Sequence, residues 1–219
     1  MTTPDFLTHG EQVQSLLVQV EAKNKAILKL GMCALGYAGA DMYTLDFLVI
    51  GAIKRYLNTS AAFRLMIETR NMSCVRALLR MHIDTALRFS AAWLVEDSQA
   101  FASKVLGGER IDKLKGRNGK RLSDAHLVKV HAMEHPCLPE VYKNLSSYIH
   151  FSASQIFDSV ATLDESSHTL HFHITDNDMK FPDSSWVELL QCFIEMTEML
   201  EKYIDNYVAT KHRLPPSAK

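Results

Sequence analysis

Apolar residues recur at helical spacing along most of this chain, and at strand spacing in one short stretch. Between Gly10 and Leu35, Val13, Leu16, Leu17, Val20, Ile27, Leu28 and Ala34 mark one face, with Gln, Glu and Lys between them. That is the stripe of an amphipathic helix. Gly36 and Gly39 interrupt it. From Asp41 to about Asn58 the pattern returns through Leu45, Leu48, Val49, Ala52 and Leu57. Asn58-Thr59-Ser60 then reads as a stop, or as the N-cap of a further helix over Ala61–Arg70. The cleanest stripe runs from Ser73 to Val95 through Val75, Leu78, Leu79, Ile83, Ala86, Leu87, Ala91 and Leu94, without Gly or Pro.

Ser98–Leu106 predicts a short helix ended by Gly107-Gly108, and from there to Arg121 the chain reads as a mobile surface loop. Ser123–Glu134 is helical until Pro136 stops it, and Pro139 suits the first turn of a helix over Glu140–Phe157. The period-two stretch follows. Thr169, His171, His173 and Thr175 alternate with Leu170, Phe172 and Ile174, and Val160–Leu163 can pair with them across Asp164–Ser167. Pro182 leads into a long helix to about His212, with Ser185 and Glu188 spaced as a capping box and the tail Leu214–Lys219 frayed. The sum is a mainly all-α fold: an antiparallel helical bundle in a single domain over 1–219, with one small β-hairpin inserted at about 158–176.

Composition narrows the function classes. A formal net charge of −1 supplies no global field toward nucleic acid or anionic lipid. The longest apolar run, Phe47 to Ile53, is far short of the about 20 residues that span a bilayer. Cys33, Cys74, Cys137 and Cys192 are widely separated and lie mostly in apolar helical stretches, as free thiols do in a reducing compartment. With no basic leader or apolar h-region at the N-terminus, these features point to a cytoplasmic location.

Candidate chemistry begins with Arg76, Arg80, Asp84 and Arg88, four residues apart on the Ser73–Val95 helix. Side chains at that spacing share a face. A solvated row of ion pairs explains the spacing without a ligand. One carboxylate cannot neutralise three guanidinium groups, however, and the arginine fork grips phosphate or carboxylate with two hydrogen bonds. Tyr142, Ser146, His150 and Ser154 form a second row on the Glu140–Phe157 helix, beside Leu145, Ile149, Ser152 and Ile156. Such a row places hydroxyls and an imidazole in a cleft, or satisfies polar groups between two helices. Packing the two helices together would make Arg80, Asp84 and His150 the catalytic candidates. Arg76, Arg88, Tyr142, Ser146 and Tyr148 would be the ligand contacts.

Two further features carry weaker chemistry. Between Lys104 and Arg121, seven basic side chains face only Glu109 and Asp112, so Lys115, Arg117, Lys120 and Arg121 are the candidate nucleic-acid contacts. His171 and His173 share a strand face near His168, but zinc would need further ligands, and only Asp176 and Asp178 are close in sequence. An exposed polar face accounts for them, so neither a metal site nor a cofactor is expected.

The stretch Val75–Phe89, followed later by Ser147-Tyr-Ile-His-Phe-Ser152, resembles a group of uncharacterised bacterial helical-bundle proteins. In those proteins an arginine-bearing helix is likewise followed by a later Ser/Tyr/His segment. More distantly, the architecture is similar to the HEPN superfamily of helical nucleases and nucleotide-binding proteins, found in toxin and phage-defence systems. Their active site uses an Arg and, four to six residues on, a His. The resemblance implies a cytosolic binding or regulatory component of such a system; the apolar stripes, which long helices tend to pair, point separately to a homodimer or a partner protein. RNA or phosphate is the implied ligand, and no membrane is involved. The alternative it implies is a metal-independent RNase or nucleotide-transfer enzyme joining the arginine row to His150.

Overall fold

The computed structural model describes residues 9–36 and 41–211. The fold is mainly α-helical with one two-stranded antiparallel sheet. Four long helices build the bundle: α1 (Glu11–Leu35), α2 (Thr44–Glu68), α3 (Met72–Ser90) and α8 (Asp183–Lys211). α1 packs on α8 and α2, and α3 packs on α2 and α8, which closes a four-helix ring. Its centre is an aromatic stack in which Phe63 and Phe193 lie 4.2 Å apart, with His82 4.3 Å from Phe193. Trp186, Tyr56 and Ile83 are fully buried around it. Shorter helices cover the outside: α4 (Ser98–Leu106) on α2, and α5 (Asp124–His131) and α6 (Leu138–Ser146) on α3. The predicted end of α8 at His212, the tail beyond it, Gly39 and the first eight residues lie outside the described residues.

The largest departures from the predicted helix boundaries each have a local reason. Asn58-Thr59-Ser60 does not divide α2. Thr59 Oγ1 bonds back to the Arg55 carbonyl at 2.8 Å, and Ser60 Oγ donates to Asn24 Oδ1 of α1 at 2.8 Å. Hydroxyls satisfied in this way need not cap a new helix. α3 stops at Ser90, whose hydroxyl takes the Leu87 carbonyl, and the chain tightens into a 3-10 turn over Ala91–Trp93. The predicted Glu140–Phe157 helix is two, α6 and α7 (Ala153–Ser159). Between them Ser152 Oγ donates to the Ser147 carbonyl and caps α7 in a box with Gln155. Serine side chains here compete for the main chain that a continuous helix would use.

The hairpin joins β1 (Val160–Asp164) to β2 (Thr169–Phe172), with Leu163 opposite Leu170 and Val160 opposite Phe172 across a bulge. Asp164 closes the turn by accepting from the backbone and hydroxyl groups of Ser166 and Ser167. The pairing ends at Phe172, short of Thr175. The predicted capping box of α8 gives way to another arrangement. Ser185 lies inside the first turn, while Asp183 binds the Gly10 amide at 2.7 Å and His9 at 3.3 Å.

Candidate functional site

α3 turns Val75, Leu79, Ile83 and Ala86 into the core, which leaves Arg76, Arg80, Asp84 and Arg88 along its outer shoulder. The row is only partly open to solvent, because α5, α6 and the α6–α7 turn pack over it. Arg80 lies 3.7 Å over the Tyr142 ring, donates to the Tyr142 hydroxyl and reaches Ser146 Oγ at 3.3 Å. Arg76 sits between the Tyr148 and Phe181 rings, donates to the Tyr148 hydroxyl, and pairs with Asp158 of α7 at 2.9 Å. Arg88 bridges Asp84 and Asp124, each at 2.7 Å. From α2, Arg55 donates to Thr85 Oγ1 at 2.9 Å and approaches Asp84 at 3.9 Å.

The electrostatics follow from that geometry. Four arginines, Arg55, Arg76, Arg80 and Arg88, meet three carboxylates, Asp84, Asp124 and Asp158. The surplus positive charge expected from sequence is therefore largely neutralised from within, since Asp124 and Asp158 arrive from other elements. Burial works against the Arg88 charge, but Asp84 and Asp124 outweigh it and raise its pKa. Burial also pushes the Tyr142 and Tyr148 hydroxyls up, so both stay protonated at neutral pH. Partly buried guanidinium groups with stacked rings and paired carboxylates are well stabilised without a ligand.

The sequence-derived site is thus assembled in part. Arg76, Arg80, Asp84, Arg88, Tyr142, Ser146 and Tyr148 come together, and His150 does not join them. His150 is exposed on the turn between α6 and α7. Its backbone carbonyl accepts from Gln155, and its imidazole makes no hydrogen bond, ion pair or ring contact among the described residues. The break after α6 removes the helical register that would have kept Tyr142, Ser146 and His150 on one face. Arg55, Asp124 and Asp158 were missed, and only the Ser123-Asp124 helix start hinted at one of them.

Clefts flank α6 on both sides. One, of about 440 Å³, is lined by Arg76, Tyr148, Ser154, Glu188 and Cys192. The other, of about 740 Å³, is lined by Arg80, Asp124, Lys129, Tyr142 and Lys143. Burial pushes the Cys192 thiol up to about 12, which leaves it a poor nucleophile. The buried histidines are equally unsuited to proton transfer at neutral pH. Burial lowers His82 to about 3 and His131 to about 4.

The basic segment is a packed turn rather than a mobile loop. Leu114 and Leu122 are buried, the Leu122 amide bonds the Leu114 carbonyl, and Lys115 bridges to Arg121. Arg117 donates its backbone amide to Leu94 and its guanidinium to the Trp93 and Val95 carbonyls. It clamps the segment that leaves the 3-10 turn after α3 and is spoken for. Lys115, Lys120 and Arg121 remain exposed. On the hairpin, His171 is exposed opposite Thr162, and His173 is half-buried. Among the described residues, no group of three or more His, Cys, Asp or Glu is placed to hold a metal ion. None of the described helices is long and apolar enough to cross a membrane.

No family model matches the chain, and neither a curated protein nor a solved structure is similar to it.

Proposed function

We propose that this chain is a cytoplasmic binding or regulatory component, of the kind its sequence resemblance places in toxin and phage-defence systems. Its working surface is the arm formed by the α6–α7 turn, α7 and the hairpin. One observation carries the reading: every residue from Ala161 to Phe172 is exposed, although the arm is rich in large apolar side chains. Phe151 is 85% exposed, Phe157 72%, Leu163 64%, Phe172 57% and Ile174 85%. Apolar surface gathered in this way marks a contact with another molecule.

The alternative, a metal-independent RNase or nucleotide-transfer enzyme, has less support. Its base would be His150, and the arginines it would pair with are already engaged by Asp84, Asp124, Asp158 and two tyrosines. Those contacts suit a clamp that fixes α5, α6 and α7 on the bundle. Nucleic-acid contact is favoured separately by the seven basic side chains of 104–121 against two acidic ones.

Purification of the tagged chain from its native source, beside a Phe172→Glu/Ile174→Asp variant, tests the proposal. The wild type is expected to retain a stoichiometric protein partner and the variant to lose it. Retention of RNA instead, released by Lys115→Ala/Lys120→Ala/Arg121→Ala, would move the reading to nucleic-acid binding. Equal retention of a protein by both chains would remove the arm from the function.

A further inference from the structure

We infer that the apolar face of the arm packs against the same face of a second copy of this chain, so that the working unit is a two-fold homodimer. The inference rests on the interface reading above and names its partner.

The hairpin register sorts its side chains by face. Leu163 opposite Leu170 and Val160 opposite Phe172 lie on one side, and Thr162 opposite His171 and Asp164 opposite Thr169 on the other. Ile174 continues the apolar alternation of Leu170 and Phe172. This is the pattern of a sheet with one covered face, yet Leu163, Leu170, Phe172 and Ile174 are all exposed. A two-stranded hairpin is at best marginal in water, and becomes stable when a further layer packs on it.

Size and charge select the occupant. Ile149, Phe151, Ile156 and Phe157, in the α6–α7 turn and in α7, which runs directly into β1, are exposed as well. Taking about 200 Å² for each large apolar side chain, these and the four hairpin residues leave roughly 1,000 Å² per copy, against about 800 Å² per partner in a stable interface. That is one side of a protein–protein contact, and more than a short peptide or small ligand would cover. From Ile149 to Asp176 there is no Lys or Arg, while Asp158, Asp164, Glu165 and Asp176 are acidic. Lys180, which packs beside it, is spent on the Asp158 and Val160 carbonyls, so the remaining charge of this surface disfavours nucleic acid and anionic lipid. Asp158 is held by Arg76, and Asp164 and Glu165 stand at the hairpin tip. These three acids therefore lie off the apolar face, and two copies can meet on it without burying them.

Sedimentation velocity on the full chain, from about 1 to 100 µM, decides it through mass action. The wild type is expected to sediment at twice the 24.8 kDa of one chain, and the Phe172→Glu/Ile174→Asp variant as a monomer with unchanged helical circular dichroism. In the unmodified chain, amide exchange across 161–174 should slow as concentration rises, which supplies a readout independent of any variant. A wild type that stays monomeric over the range overturns the inference. So does a dimer that persists in the variant, or one that leaves exchange at 161–174 unchanged. A monomeric wild type that still captures a different protein through the arm would overturn the second copy and leave the interface reading standing.

Discussion

Replacing Asp46 by alanine is expected to lower unfolding free energy by about 3–5 kcal/mol, the cost of leaving a buried charge without its partner. Asp46 is fully buried at the start of α2, where its two oxygens each lie 2.8 Å from Lys211 Nζ at the end of α8. Tyr207 Oη donates to the same carboxylate at 2.8 Å and the Tyr43 amide at 2.7 Å, while Lys211 also reaches the Ala34 carbonyl at the end of α1. One carboxylate therefore ties three helix ends together. Its removal strands the ammonium group of Lys211, whose side chain is 5% exposed. Urea unfolding measures the effect. The Asp46→Leu/Lys211→Met double variant should cost less than the two single variants added, because it leaves no charge unpaired. A loss below about 1 kcal/mol for Asp46→Ala would show that water or a rearranged neighbour replaces the carboxylate.

The second large effect is on acid stability. His82 donates Nε2–H to Thr197 Oγ1 at 2.9 Å, since the Thr197 hydroxyl is itself spent on the Phe193 carbonyl. Its Nδ1 is buried without a partner, so the folded protein has no acceptor for a second proton. His131 is similar: Nε2 meets Ser90 Oγ at 2.8 Å, and that hydroxyl serves the Leu87 carbonyl. Both imidazoles are held neutral by burial, with folded values of about 3 and about 4 against an ordinary 6.5. The unfolded chain then binds more protons than the folded one below 6.5. Stability is complete above that pH and falls as pH drops towards the folded values. At about 1.4 kcal/mol per pH unit for each group, the wild type should lose roughly 3 kcal/mol between about pH 7.5 and 5.5. His82→Phe, which keeps a ring beside Phe193, should remove about half of that loss. Chemical denaturation at the two pH values supplies the comparison, and a wild type equally stable at both would exclude this role for the histidines.

The sequence is most informative where a stripe alone decides the structure. α1, α3, α8 and the hairpin follow directly from the spacing of residues such as Val13, Leu79, Phe193 and Leu170. It is least informative where a distant residue arbitrates. Thr59 and Ser60 look like a helix end until Asn24 of α1 supplies a partner for Ser60. Ser147 and Ser152 look compatible with one helix until their hydroxyls and carbonyls fold the chain back on itself. The arginine row was visible as a row, but its meaning depended on Asp124 and Asp158, 36 and 82 positions from their partners. No local pattern announces such pairings, and the same holds for Asp46 and Lys211, 165 positions apart.

The contrast between clamp and catalytic site comes down to Arg80. If the row is a clamp, Arg80→Ala should cost about 2 kcal/mol, through loss of the stacking on Tyr142 and of the hydrogen bonds to Tyr142 and Ser146. His150→Ala, which removes an exposed imidazole without contacts, should change stability by less than about 0.5 kcal/mol. The deciding measurement is the unfolding midpoint of both variants beside cleavage of a labelled single-stranded RNA. A destabilised Arg80→Ala, a wild-type-like His150→Ala and no cleavage by any of the three proteins are expected. Cleavage by the wild type that is lost in a fully stable Arg80→Ala and in His150→Ala would contradict the clamp and restore the enzyme.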